Sequence, residues 1–278
     1  MLAIRQIIKL FLPPVIVTIK QRLFPKQQNY SWFGDYKTWE VAAADSTGYE
    51  NENILEKVKT TTSILRDNPD LFEYDTILKK STDYNWHILT FLLSVSKENN
   101  NNLNIIDYGG GLGNLYFQYR QFLNGTNIKW NIIEQPIFVN EGNKSFANNE
   151  LRFFNLIEEC LEISSVDAIL FSGVIEILEK PYELISKIIS KNIQNIIFDR
   201  VPLQRIYSRD RITILKIYKE VYEAIIPCRI FDEDNFKALF TDSYSLIFEG
   251  LSKEKAISVD NSLVEKKFLF FKSINKGL

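Results

Sequence analysis

The chain has few of the residues that build disulfide frameworks and metal sites. Its 278 residues include two cysteines and one histidine. Cys160 and Cys228 are too few for a disulfide framework and too sparse for a metal site, so the sequence predicts a reducing compartment, the cytoplasm, and no metal. The formal net charge of -2 also lacks the basic excess that neutralises phosphates. We therefore do not expect nucleic acid as a partner.

Acidic residues are missing from the start of the chain. Residues 1–34 contain five basic residues and no acid, a charge of +5, which leaves -7 for the remainder. Pro13 and Pro14 divide the apolar positions into two short parts, neither of which is long or uncharged enough to span a bilayer, and no small-residue cleavage site follows. We interpret residues 1–28 as a basic amphipathic segment. Residues 1–26 either contact the inner face of a membrane peripherally or pack on the domain as a lid.

Aromatic residues are dense just after this segment. Four of the eight residues from Trp32 to Trp39 are aromatic. Rings with polar edges and nearby carboxylates suit a site that stacks on sugar rings, and a packed aromatic cluster is the alternative. The candidate substrate contacts in this stretch are Trp32, Asp35, Tyr36 and Trp39.

Two helical periodicities follow the aromatic stretch, at residues 53–65 and 84–96. Residues 29–100 are therefore predicted to form an aromatic-rich helical cap. The lone histidine, His87, lies in the second helix and is a candidate base near neutral pH, with a structural role as the alternative.

The chain turns sharply after residue 108. Ile105 and Ile106 suit a strand buried on both faces of a parallel sheet, and the glycines at 109–111 and 113 end it. Helical spacing resumes at Asn114, so the turn leads into a helix N-terminus, which favours polar or anionic ligands. The glycines fit Gly-x-Gly-x-Gly but lack the third glycine of the dinucleotide fingerprint, and no Gly-Lys-Ser/Thr of a P-loop follows.

Two acids accompany the glycine turn. Asp107 precedes its first glycine by two positions, and Glu134 ends the strand-like run at 128–133. The offset of about twenty residues is that of an acid that accepts ribose hydroxyls, and a solvated loop glutamate is the alternative. The compact glycine motif with its preceding acid resembles the first motif of class I S-adenosylmethionine-dependent methyltransferases.

Further candidates follow the later strands, predicted at 151–154, 166–172 and 196–198. Ligands of α/β sheets bind outside the carboxyl ends of the strands. Asp199 is therefore a candidate general base, and Arg200 or Arg205 is a candidate contact for an anionic group, with an internal salt bridge as the alternative. Strands at 244–249 and 267–272 have no helical run between them, so we expect them to pair as a hairpin.

Over nearly its whole length the chain resembles a bacterial family that is assigned as methyltransferases by similarity. The matching stretches are 32–36, Trp39, 48–49, 107–113, Trp130, 134–136, 199–202 and 226–231. In that family Phe usually stands where this chain has Tyr108. The resemblance implies an α/β, Rossmann-like class I methyltransferase domain at 101–278, with a mostly parallel seven-stranded sheet and a C-terminal antiparallel hairpin. Because the family is often encoded among genes for bacterial surface polysaccharides, it also implies a sugar or glycan acceptor.

The resemblance further implies S-adenosyl-L-methionine as the cofactor and roles for individual residues. Asn155 would contact the adenine, with Glu158 as its rival, and Ser172 with Gly173 would face the reactive end of the cofactor. The predicted cofactor contacts are Asp107, Gly109, Gly110, Gly111, Gly113, Glu134, Asn155, Ser172 and Gly173. Two alternatives stay open. One is an NAD(P)-dependent sugar-nucleotide enzyme, and the other is a non-catalytic, membrane-apposed Rossmann-like binding module.

Overall fold

The computed structural model describes residues 29–48, 52–80, 84–260 and 262–274. The predicted basic segment 1–28, with its membrane contact at 1–26, and Tyr49 lie outside the described residues. Twelve strands are described: β1 (Tyr30–Tyr36), β2 (Leu71–Tyr74), β3 (Ile77–Lys80), β4 (Asn102–Tyr108), β5 (Asn127–Ile133), β6 (Leu151–Phe154), β7 (Ala168–Ser172), β8 (Asn195–Gln204), β9 (Arg211–Ile217), β10 (Ala224–Asp232), β11 (Tyr244–Val259) and β12 (Ser262–Ser273).

Eight α-helices connect the described strands. They are α1 (Trp39–Ala44), α2 (Glu52–Asp67), α3 (Trp86–Glu98), α4 (Asn114–Tyr119), α5 (Pro136–Ser145), α6 (Ile157–Ile163), α7 (Pro181–Ser190) and α8 (Glu233–Ala238). Local signals explain where several of them begin. The Asp232 carboxylate accepts the Asn235 N–H at 2.8 Å at the start of α8, and proline occupies the first turn of α5 and of α7.

One half of the main sheet is parallel. Its strands lie in the order β6, β5, β4, β7, β8, and every neighbouring pair among them is parallel. The four residues at 168–171 in β7 are fully buried, as expected for a strand covered on both faces. This order is that of a doubly wound, Rossmann-like sheet, in which the carboxyl ends of the strands meet at one edge. The predicted α/β class is confirmed.

The other half of the sheet closes on itself, and we call it the closed region. From β8 the order continues through β12, β11, β1 and β9 to β10, and the end of β10 pairs with the end of β8 at Phe231 and Leu203. The predicted C-terminal hairpin is confirmed as the antiparallel pair β11 and β12. The predicted seven-stranded, mostly parallel sheet is wrong, because the described residues form a mixed ten-stranded sheet. Of the three added strands, β9 and β10 pair with each other as neighbours in the chain, whereas β1 pairs with β9 and β11, which lie far away in the sequence.

Strand β8 joins the two halves and is longer than predicted. β7 pairs with it as far as Asp199, and β10 pairs with it from Leu203. Between these two positions Arg200 has a φ of +66° and Pro202 pairs only with β12 among the described strands. A proline is tolerated there because that side of the strand needs no donor. Asp199 and Arg200 therefore lie inside a strand, whereas the sequence predicts that the strand ends at them.

The described residues contain three apolar clusters. Two cover the opposite faces of the parallel half, with α3, α4 and α5 on one face and α6, α7 and α8 on the other. The third lies inside the closed region and is built from Trp32, Cys228, Ile230, Ile257, Val259 and Val264. Segment 29–100, predicted as a helical cap, contains α1, α2 and α3 but also β1, β2 and β3, and β1 is part of the main sheet. The domain boundaries stay predictions.

Candidate active site

The glycine turn follows β4 directly, as the sequence predicts. Gly109, Gly111 and Gly113 have φ values of +70°, +60° and +97°, a region in which L side chains are strained. A Cβ at Gly109 would lie 2.5 Å from Val174 Cγ2, so this position has no room for a side chain. At Gly111 the only atom near an added Cβ would be Val58 Cγ1, at 3.9 Å. The turn therefore packs against the protein at Gly109 and is open at Gly111.

Asp107 lies beneath this turn and is fully buried. Its Oδ2 accepts the Trp130 indole N–H at 3.0 Å. A Cβ at Gly110 would lie 2.6 Å from Asp107 Cγ, so the carboxyl group and the turn are in close contact. Burial raises the pKa of Asp107 to about 7, and the Trp130 hydrogen bond opposes the rise. Asp107 supports the turn from below, the position expected of a residue that orders it.

Glu134 lies directly after β5, next to the same turn. Its Oε1 accepts the Gly111 N–H at 3.2 Å and its Oε2 accepts the Gln135 N–H at 2.8 Å. Burial raises the pKa of this carboxyl, and the two backbone N–H groups counteract the rise. Each oxygen has a second lone pair, so the carboxylate retains the capacity to accept hydroxyl donors. The structure thus brings Glu134 and the turn together although 23 positions separate Gly111 from Glu134 in the chain.

A cavity of about 970 Å³ opens at this edge of the sheet. Eight of the nine predicted cofactor contacts line it: Asp107, Gly109, Gly110, Gly111, Glu134, Asn155, Ser172 and Gly173. Gly113 is not among the lining residues. It is buried at the start of α4, where a Cβ would lie 3.0 Å from Leu151 Cδ2, so its glycine is required for packing.

A network of polar groups lies at the end of β7 and beside it in the middle of β8. Ser172 Oγ donates to Asp199 Oδ2 at 3.0 Å, and Arg200 Nη2 donates to the Ser172 carbonyl oxygen at 2.9 Å. Arg200 Nη1 donates to Asp75 Oδ1 at 3.2 Å, and Asp75 also accepts the Tyr30 hydroxyl at 2.7 Å. Asp199 and Arg200 line the cavity, and Arg200 holds the β2–β3 turn against the end of β8. The guanidinium was predicted to contact an anionic group, and in the structure its neighbours are carboxylates of the chain itself.

The aromatic stretch divides into residues that line the cavity and residues that do not. Trp32 and Trp39 line it. Asp35 is exposed and pairs with Arg209 Nη2 at 2.6 Å, and the ring of Tyr36 lies against Gly34. The register of β1 against β9 shifts between Phe33 and Tyr36, so the alternation that turns Trp32 inward does not continue unbroken through this end of the strand. Asp35 and Tyr36 are outside the lining.

His87 is also outside the lining of the cavity. Its ring packs at 5.2 Å from the rings of Phe248 and Phe268, between α3 and the hairpin. Arg205 pairs with Glu233 at 2.9 Å on the surface. The described residues hold no group of three or more metal-ligating side chains, and none of their helices is long and apolar enough to cross a bilayer.

Several residues of the cavity were missed by the sequence analysis. Tyr74 donates to Glu254 Oε2 at 2.9 Å, and Lys266 Nζ donates to the same oxygen at 2.7 Å. Glu176 follows β7 in a short 3-10 turn and is 3% exposed. An acid within the apolar run 174–178 was the available signal for Glu176. Tyr74, Glu254 and Lys266 had none, since strand residues of mixed polarity are common on surfaces.

Comparison with known proteins gives structural matches only. No protein-family model matches the chain, and no curated protein matches it. Among solved structures, the N-terminal domain of EvdMO1, crystallised with S-adenosylhomocysteine and D-fucose, is 12% identical with a TM-score of 0.45, over 81% of this chain and 97% of that chain. The amino pentose methyltransferase CalS10 of Micromonospora echinaspora, with bound S-adenosylmethionine, is 7% identical with a TM-score of 0.42, over 68% and 91%.

A third match is an S-adenosylmethionine-dependent methyltransferase of Clostridium acetobutylicum. It is 10% identical with a TM-score of 0.41, over 66% of this chain and 89% of that chain. Likeness at TM-scores below 0.5 is too weak to assign a function to this chain. The strand order and the geometry of the cavity are the features of the chain that bear on its function.

Proposed function

We propose that the chain is an S-adenosyl-L-methionine-dependent methyltransferase. The observation that carries the proposal is the placement of Glu134 against Gly111, at the carboxyl ends of two neighbouring parallel strands and in the wall of a large cavity. A carboxylate at this position accepts two ribose hydroxyls, and a glycine without close neighbours lets the ligand approach the backbone.

The residues around the cavity fit this cofactor. Gly111 leaves its side of the turn open, and both oxygens of Glu134 keep acceptor capacity. Glu134 would hold the ribose, Asn155 the adenine, and Ser172 with Gly173 would lie toward the amino-acid end. When bound, S-adenosyl-L-methionine supplies an electrophilic methyl group. The chain's own contribution is to orient the acceptor in line with that group and to exclude water, since methyl transfer depends chiefly on positioning.

The charge of the cavity supports this cofactor over a dinucleotide. Eight carboxyl side chains and three basic side chains are among the described residues that line it. S-adenosyl-L-methionine carries a sulfonium, an ammonium and one carboxylate group, and its net positive charge is attracted by an acidic cavity. The pyrophosphate of NAD(P) would meet this excess of carboxylates.

We propose a sugar or glycan as the methyl acceptor, in line with the family resemblance to proteins of surface-polysaccharide gene clusters. Trp32 and Trp39 in the cavity wall support this acceptor, since indole rings stack on the apolar faces of sugars. A peripheral contact of residues 1–26 with the inner membrane face would place the enzyme near such precursors.

Calorimetric titration with S-adenosylmethionine, S-adenosylhomocysteine and NAD tests the proposal. We expect the first two to bind the purified protein and NAD to be rejected. Glu134→Gln keeps the shape of the side chain but loses the charge-assisted acceptor, so binding of both ligands should weaken roughly 10- to 100-fold. Glu162→Gln, at an exposed position of α6, is the matched control and should bind like the wild type. Binding of NAD alone, or of no ligand, contradicts the proposal.

A further inference from the structure

Two of the three cations that line the cavity, Arg200 and Lys266, pair with carboxylates of the protein, and the third, Lys253, lies 3.9 Å over the ring of Phe72. Arg200 is held by Asp75 and lies 3.9 Å from Asp199, and its guanidinium stands 5.2 Å over the ring of Tyr74. Lys266 is 7% exposed at its side chain, pairs with Glu254 at 2.7 Å and lies 5.2 Å over the ring of Trp32. Arg200 Nε has no hydrogen-bond partner among the described residues and lies 3.9 Å from Asp199. An anionic acceptor would therefore compete with carboxylates of the protein for each of these two cations, and displacing one leaves that carboxylate without its cation.

Glu176 differs from the other acids of this wall. It is 3% exposed and lines the cavity, and among the described residues no donor lies within hydrogen-bond distance of its Oε2. Asp199 also has one oxygen, Oδ1, without a hydrogen-bond partner among the described residues, but its Oδ2 accepts the Ser172 hydroxyl and lies 3.9 Å from Arg200 Nε. No cation among the described residues lies within salt-bridge distance of Glu176. A buried carboxyl oxygen without a partner is costly, and a ligand donor at this wall would satisfy it.

On the basis of the proposed methyl transfer, we propose that Glu176 binds the nucleophilic hydroxyl or amine of the acceptor and takes up its proton, and that the acceptor carries no anionic group. The acceptor class is thus an uncharged or amino sugar. Trp32 lines the same cavity. A carboxylate that accepts from the hydroxyl fixes the oxygen for attack and lowers the cost of releasing its proton.

The transfer balances with Glu176 as the base. The acceptor oxygen uses a lone pair to form the bond to the methyl carbon, and the sulfur–methyl bond breaks with its electron pair going to sulfur. The hydroxyl proton passes to Glu176, which ends the step as a carboxylic acid and later releases the proton to solvent. The balance with an amine acceptor is the same.

The surroundings of Glu176 suit a base that works near neutral pH. Burial raises the pKa of its carboxyl to about 7, Lys266 and Arg200 lower it, and Glu254 raises it. Cys228, a buried thiol, also faces it. A base is most effective when its pKa lies close to the working pH. The rate should therefore rise with pH up to about 7 and then level off.

The test measures binding and turnover separately. Calorimetry with S-adenosylhomocysteine first compares the wild type, Glu176→Gln and the control Glu183→Gln, whose side chain is 73% exposed on α7. We expect equal affinities for all three. If the wild type does not bind S-adenosylhomocysteine, the methyltransferase proposal itself is contradicted. This outcome is distinct from a wrong assignment of Glu176, which only the later stages test.

The second stage titrates the S-adenosylhomocysteine complex with four probes: a methyl hexoside, glucosamine, glucuronic acid and glucose 6-phosphate. We expect the wild type to bind the first two probes at least about tenfold more tightly than the two anionic probes. Glu176→Gln should bind the first two probes at least about tenfold more weakly than the wild type, and Glu183→Gln should bind them equally well. Tighter binding of an anionic probe, no binding of any probe, or unchanged binding by Glu176→Gln overturns the inference.

Turnover with S-adenosylmethionine and the bound sugar completes the test. Glu176→Gln should lower kcat by roughly 10²- to 10⁴-fold and abolish the rise with pH. Glu176→Asp, which keeps the carboxyl on a shorter side chain, should restore part of the rate together with the pH dependence. Thermal melting of each variant checks that the fold is kept. A pH profile that is the same in Glu176→Gln and the wild type would falsify the assignment of Glu176 as the base.

Discussion

The parallel half and the closed region of the sheet contribute to the cavity in different ways. In the parallel half, the polar groups stand at strand ends and are connected through backbone N–H groups, as between Glu134 and Gly111. In the closed region, side chains from strand interiors meet one another, as Glu254 of β11 and Lys266 of β12 do. The first arrangement depends on backbone conformation and the second on buried ionic pairs. We therefore expect single substitutions in the two halves to differ in their effects on stability and on ligand binding.

The largest loss of stability is expected when Arg200 is replaced, because its contacts connect the two halves of the sheet. Arg200→Met leaves Asp75 and Asp199 without their cation, and breaking a buried pair from one side lowers the free energy of unfolding by about 3–5 kcal/mol. Arg209→Met breaks an exposed pair with Asp35 and should cost about 1 kcal/mol or less. Urea unfolding of both variants measures the difference. Equal losses would mean that the buried network does not join the halves.

A somewhat smaller loss of stability is expected from a substitution in the glycine turn. Gly109→Ala combines a positive φ with a Cβ 2.5 Å from Val174, and should cost about 2–4 kcal/mol. Gly125→Ala has a similar φ of +83° but no atom within 4 Å, so backbone strain alone, about 1 kcal/mol, applies. Only the first should also abolish S-adenosylhomocysteine binding in calorimetry. If Gly109→Ala binds S-adenosylhomocysteine as well as the wild type does, the glycine turn is not part of the cofactor site.

The smallest effect concerns Asp107, whose pKa is raised by burial from the ordinary 3.8 to about 7. The native state holds this proton where the unfolded state has lost it, so the contribution of Asp107 to stability is fully present below about pH 4 and is lost as the pH rises to about 7. The free energy of unfolding of Asp107→Asn, relative to that of the wild type, should therefore rise by on the order of 2 kcal/mol as the pH goes from 5 to 8.

Urea unfolding across this pH range measures the effect. Asp242→Asn, at an exposed carboxyl, is the control, and its difference from the wild type should stay constant. A constant difference for Asp107→Asn as well would show that its carboxyl is ionised throughout and that other groups offset its burial.

The two halves also differ in how far the sequence predicts them. Strands β4 to β7 and the turn at 109–113 were predicted because alternating strands and helices, glycines and strand-end acids are local patterns. Strands β9 and β10 were missed, and β8 and β11 were predicted too short. β9 and β10 pair with each other as neighbours in the chain, but β9 also pairs with the distant β1, as Leu215 does with Trp32, and β10 pairs with the end of β8. Pairing with distant strands leaves only a weak local signal.

The candidate site shows the same division. Asp107, Glu134 and the glycines of the turn were identified by spacing, and the structure brings them together. Asp35 and Tyr36 were chosen by composition, and they lie outside the cavity lining, at the end of β1 where its register against β9 shifts. His87 was chosen as the lone histidine, and its helix turns it toward two phenylalanines.

By itself the sequence determined the α/β class, the position of the glycine turn and the acids that flank it. These features follow from backbone conformation and strand ends, which residues close together in the chain specify. Only the tertiary structure decided which carboxylates pair with cations and which of them, like Glu176, have no cation within salt-bridge distance among the described residues. Arg200 and Asp75 are 125 positions apart, and the freedom of Glu176 depends on where Lys266 and Glu254 lie on other strands. Burial and pairing are properties of the closed sheet, because each depends on surfaces that meet only when distant strands come together.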